Sequence, residues 1–176
     1  MKRLIILLGI TFCLNFISSA QFSISSSPGL NLNIPKGSYI AKSVSPMISL
    51  NLDYRQKKYF LRTGIEQVAF STDLGGQIKE LSIPLYFGVK LKRSNIMQLA
   101  GFGYYLTFPY KFLDVQKQSY STHGVGTFYE FRYYSTEKFF FGCGLDVKMD
   151  FVTSSTYSLF TKNNFYITLG FNFGKK

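Results

Sequence analysis

The chain has 176 residues, with 20 Lys and Arg against 9 Asp and Glu, 13 Tyr, 19 Phe and no Trp. That length suits one domain, and its 2 cysteines rule out a scaffold stapled by several disulfides. No run of about 18 apolar residues follows the first twenty positions, so a spanning helix is excluded there, and no linker, charge block or long repeat divides the chain.

The opening Met1-Lys2-Arg3 is a basic start, Leu4 to Leu14 an apolar run too short to cross a bilayer, and Ser18-Ser19-Ala20 a small-residue cleavage pattern. Residues 1–20 therefore read as a secretory signal peptide cut after Ala20, leaving residues 21–176 as the mature domain. Bulky Phe12 before Cys13 argues against lipoprotein processing. Cleavage leaves Cys143 alone, so the mature chain must be held by packing or by a membrane rather than by a disulfide. Aromatics interleaved with cations would suit a nucleic-acid-binding sheet. Export weighs against that use, and no nucleic-acid partner is expected.

Period-two alternation predicts strands near residues 22–34, 44–55, 58–71, 80–92, 96–108, 122–134, 138–151 and 164–173. Pro28-Gly29 interrupts the first. The clearest is the fourth, where Leu81, Ile83, Leu85, Phe87, Val89 and Leu91 share one face. Pro84 inside it lacks a ladder donor, which predicts a bulge or local break. The fifth is partly apolar on both faces, and Gly101 and Gly103 suggest close packing. Most of these strands hold about ten or more residues, enough to cross an outer membrane when tilted and about twice the soluble average.

The connections alternate in size. Gln56-Lys57, Arg93-Ser94-Asn95 and Ser135-Thr136-Glu137 are tight; 72–79, 109–121 and 152–163 are long. An up-and-down barrel with both termini in the periplasm has this rhythm, with short periplasmic turns and longer outer loops. The expected fold is all-β: an eight-stranded antiparallel up-and-down transmembrane β-barrel.

Parity then sorts the side chains. The proposed lipid face carries, among others, Ile48, Leu50, Leu52, Tyr129, Phe141, Cys143, Ile167 and Leu169, and no charge. The lumen face carries Asp53, Glu66, Glu130, Asp146 and Asp150 against Arg55, Arg62, Lys90, Lys92, Arg132 and Lys148. That near balance predicts a paired network filling the lumen, with Asp53, Arg62, Glu66, Lys90, Glu130, Arg132, Asp146 and Lys148 as its members, in a structural role. Eight strands enclose only enough room for side chains, so a pore is not expected. Excess cations fall at Lys36, Lys42, Lys79, Lys111, Lys117 and Lys162 on the outer side and at Lys57, Lys58, Arg93, Lys175 and Lys176 on the inner. The outer set could sit near lipopolysaccharide phosphates, but solubilising loop charge is the preferred reading.

Chemistry finds little support. His123 is the sole histidine and would have to be the base of any Ser-His arrangement; Ser121 and Thr122 adjoin it and Glu130 points inward. Outer-membrane lipid A deacylases place a serine two residues after the histidine, and position 125 here is Val. Cys143 faces lipid, away from any electropositive setting. No phosphate-binding glycine loop or Cys/His metal cluster occurs, so no cofactor is expected.

Glu80-Leu-Ser-Ile-Pro-Leu-Tyr-Phe-Gly-Val-Lys90, followed by Gly101-Phe-Gly-Tyr104, resembles the PorT-like outer-membrane β-barrel family of Bacteroidetes-type bacteria. Phe165-Tyr-Ile-Thr-Leu-Gly-Phe-Asn-Phe173 is similar to a last strand read by the barrel-assembly machinery, here followed by Gly174-Lys175-Lys176. The resemblance implies a fold and a location in a Gram-negative outer membrane, with its lipid and lipopolysaccharide as surroundings, and little about activity. The leading expectation is a non-enzymatic barrel with a structural or surface-interaction role through its outer loops. The alternatives are a lipid-modifying enzyme using His123 and a secreted soluble barrel binding an apolar ligand.

Overall fold

The computed structural model describes residues 21–35, 43–71, 77–111, 122–151 and 160–173. The signal, Ser121, Lys36, Lys42, Lys117, Lys175 and Lys176 lie outside them. Eight strands follow in order: β1 (Gln21–Pro35), β2 (Ser43–Gln56), β3 (Tyr59–Ser71), β4 (Gln77–Arg93), β5 (Ile96–Lys111), β6 (Thr122–Tyr134), β7 (Phe139–Phe151) and β8 (Phe160–Phe173). Each pairs antiparallel with the next, and β8 returns to β1, so the sheet closes into a barrel with no free edge.

Alternation of apolar and polar residues over 13 to 17 positions makes these strands. Two close in two-residue turns, at Lys57-Lys58 and Ser94-Asn95. Lys57 (φ 44°) and Ser94 (φ 53°) adopt the left-handed backbone at the first central position. Positive φ is the sign that primed hairpin turns need to match the right-handed strand twist. The third short turn is held by Thr136, whose Oγ1 accepts from the backbone N–H of Phe139 at 3.0 Å. All three turns lie at the end of the barrel where β1 begins and β8 ends.

Pro28 and Pro84 each break one ladder and spare the other. β1 pairs with β2 without interruption through Pro28, while its pairing with β8 skips Ser27 and Pro28. Pro84 is paired with Tyr105 of β5, but the β3 ladder skips Ile83 and Pro84. The register continues unchanged across both gaps, so the missing N–H interrupts bonding without a bulge. The irregularity in β4 lies instead between Lys79 and Glu80, against β5. Three strands reach at least three residues farther than the alternation predicts, all at the end away from the short turns: β4 begins at Gln77, β5 runs to Lys111 and β8 begins at Phe160.

The outward face is apolar. Ile167 and Leu169 are each 60% exposed, Phe102 69% and Leu85 53%, and the same parity continues round the sheet. Aromatic rings collect at its two margins. Toward the short turns, Phe22 packs on Tyr54 (centroids 5.3 Å apart) and Phe139 on Phe171 (4.9 Å). Toward the other end, His123 lies between Tyr104 (5.7 Å) and Phe151 (5.9 Å).

Inside, the packing is tight because rings face glycines. Tyr166 crosses Gly144 so closely that an added Cβ would come within 2.6 Å of the ring, and Phe140 covers Gly170 in the same way. Gly144→Ala is therefore expected to destabilise the barrel by about 1–3 kcal/mol through overpacking. A lowered urea midpoint for the folded barrel checks it.

Candidate functional site

The barrel interior is where ionisable side chains converge. Strands four apart in the ring order face each other across it, and inward parity delivers their charges to the middle. Asp53 of β2 and Arg62 of β3 are register partners on one wall, while Glu130 and Arg132 of β6 stand on the far wall. The four form a closed square. Arg62 donates to Asp53 (2.7 Å) and Glu130 (2.8 Å); Arg132 donates to Asp53 (2.6 Å) and to Glu130.

A second group joins β3 to β7, where Lys148 Nζ lies 2.5 Å from Glu66 and 3.3 Å from Asp146. Asn164 Nδ2 donates to the other Glu66 oxygen at 3.0 Å. A third joins β4 to β8 and β7: Lys162 meets Glu80 (2.6 Å) and Asp150 (3.1 Å), and the Tyr105 hydroxyl donates to Asp150. Desolvating each of these charges costs several kcal/mol, which the reciprocal pairing offsets.

Seven of the eight residues expected in the network are thus placed in it, in two separate clusters. The eighth, Lys90, stands apart. It is half-buried near the short-turn mouth and has no ion pair among the described residues. Inward parity sets its face but not its depth, and β4 carries it past the level of the carboxylates. Lys92, counted with the lumen charges, is exposed at that mouth. Lys162, expected among the outer loop cations, is 1% exposed and bridges two carboxylates, because β8 begins before it. Glu80, its partner, was readable from its parity with Ser82.

The interior is also less polar than the alternation implies. Phe60, Met97, Leu99, Phe128, Tyr134 and Phe140 are buried together on the short-turn side. Arg62 lies over the Phe128 ring at 4.2 Å and Arg132 over Phe140 at 4.3 Å, so the charged square rests on an aromatic floor. A small cavity of about 10 Å³ lies between Tyr86, Arg62 and Asp146. That is the scale of a single water, so these side chains block the bore at this level.

The groups considered for catalysis are dispersed. His123 has outward parity among rings, whereas Glu130 points into the lumen. Cys143 is exposed on the outward apolar face. No group of three or more metal-ligating side chains occurs among the described residues. A larger open space, a vestibule of about 690 Å³, lies at the short-turn mouth and is reached by Arg55, Lys92 and Tyr134.

No family model matches the chain, and no curated protein matches it by sequence. Solved structures do. Neisserial surface protein A has a TM-score of 0.71 at 11% identity, covering 86% of this chain and 97% of that one. Ail, the attachment invasion locus protein of Yersinia pestis, has a TM-score of 0.61 at 12% identity, covering 88% and 99%. Outer membrane protein OprG from Pseudomonas aeruginosa has a TM-score of 0.60 at 15% identity, covering 90% and 98%. At these identities the likeness is one of fold, and the fold is that of eight-stranded outer-membrane β-barrels.

Proposed function

We propose that this chain is a non-enzymatic integral protein of a Gram-negative outer membrane, exported by its first 20 residues. The observation that carries this reading is the segregation of charge. Between Lys79 and Arg93 at its margins, the outward face of the barrel is an apolar belt edged by aromatic rings, and the strand charges turn inward. An exposed apolar surface of this extent requires a lipid solvent, and aromatic girdles mark its two boundaries. The soluble alternative would have its polar side outside.

The occupied lumen argues against conduction, which leaves the envelope itself and the long connections as the working parts. The role is structural, or one of surface interaction through those connections, set among outer-membrane lipid and lipopolysaccharide. Phe165 to Phe173 would be the segment read by the barrel-assembly machinery. A likeness to PorT-like barrels rests on the Glu80–Lys90 strand and on Gly101–Tyr104.

Electrophoresis of a detergent extract tests the reading. The unheated protein is expected in the membrane fraction, migrating differently from its boiled form. Recovery in the soluble fraction with no heat-dependent shift would overturn it.

A further inference from the structure

Among the described residues five basic side chains are buried in the barrel, and four of them touch carboxylates. Arg55 is the exception. It is 1% exposed, yet its bonds go to neutral groups: the Tyr134 hydroxyl at 2.7 Å and Asn172 Oδ1 at 2.5 Å. Its Nε has no partner. A buried guanidinium without a counter-charge is costly, and this one borders open space rather than packed interior. The vestibule beside it has a volume of about 690 Å³, within the range of sites that take small organic molecules.

A second cation converges on the same point. Lys92 Nζ lies 5.5 Å from the centroid of Tyr134, the ring whose hydroxyl accepts from Arg55. Lys90 stands two residues back on the same face of β4, and Lys138 adds a further cation to the rim, beside Glu137. Met97 and the Tyr134 ring, both inward, supply an apolar wall. Tyr134 and Asn172 hold the guanidinium in place before any anion arrives, which lowers the cost of ordering it on binding.

We propose that the short-turn vestibule binds a small organic anion, a carboxylate or phosphate head on an apolar body. Arg55 and Lys92 meet the head, while Tyr134 and Met97 line the body. Only the assignment of this mouth to the periplasm rests on the outer-membrane reading; binding does not.

Phenyl phosphate and benzoate are the probes, titrated by calorimetry into the folded full-length barrel in an uncharged detergent, with benzyl alcohol as the neutral analogue. Both anions are expected to bind at or below about millimolar concentration, with benzyl alcohol much weaker. Lys92→Gln should weaken binding by about tenfold, and Arg55→Gln by more. Lys92 is exposed, so its variant keeps the test alive if Arg55→Gln does not fold. No heat of binding for either anion, equal binding of benzyl alcohol, or wild-type affinity in Lys92→Gln would overturn the proposal. The heat-dependent gel shift of the same preparation reports separately on the barrel.

Discussion

Replacing Arg132 with Met is expected to destabilise the barrel by about 3–5 kcal/mol, because it leaves buried carboxylates facing each other across the lumen. Asp53 and Glu130 are both 0% exposed, and Arg62 alone would remain between them. The loss should appear in urea titrations of protein folded in phospholipid vesicles. Adding Glu130→Gln removes one of the two stranded charges and restores a one-to-one match between Asp53 and Arg62. The double variant should therefore be more stable than the sum of the single losses predicts, by about 0.5–3 kcal/mol. Strict additivity, or a loss below about 1 kcal/mol for Arg132→Met, would mean that water reaches the square and screens it.

The same square shows what alternation can and cannot convey. Period two identifies which side of a strand faces inward, and for Asp53, Arg62, Glu130 and Arg132 that was enough to bring them to one space. It carries no information on shear, the stagger that decides which residue on β2 stands level with which on β6. Lys90 was misplaced for that reason. Lys162 was hidden because alternation is legible only from residue 164, which leaves the cation in the 152–163 connection. In the barrel Asn164 is buried, bonded to Asn31 and Glu66, and β8 continues past it to Phe160. The aromatic floor was signalled by the two-sided apolarity of β5 and by the glycines. Which ring would cover which glycine depends on the closed geometry, as does the isolation of Arg55.

Arginine placed on the outward face distinguishes a lipid solvent from water by the sign and size of its effect. Ile167 is the position of choice: it lies midway along β8, is 60% exposed, and is flanked on its own face by Phe165 and Leu169 and across the ladder by Cys143. In a bilayer Ile167→Arg is expected to cost about 2–4 kcal/mol, since the guanidinium enters the hydrocarbon midplane. Phe139→Arg, at the margin beside the short turns, should cost only about 0–1 kcal/mol, because the side chain can reach the headgroups. Were water the solvent, both variants would fall within about 0.5 kcal/mol of the parent and raise its solubility. The gradient between the two positions carries the result: it requires a solvent whose polarity changes along the barrel axis, and only a membrane supplies one. Vesicle-based urea titrations of the two variants read it directly, and equal, small effects at both would return the outward face to water.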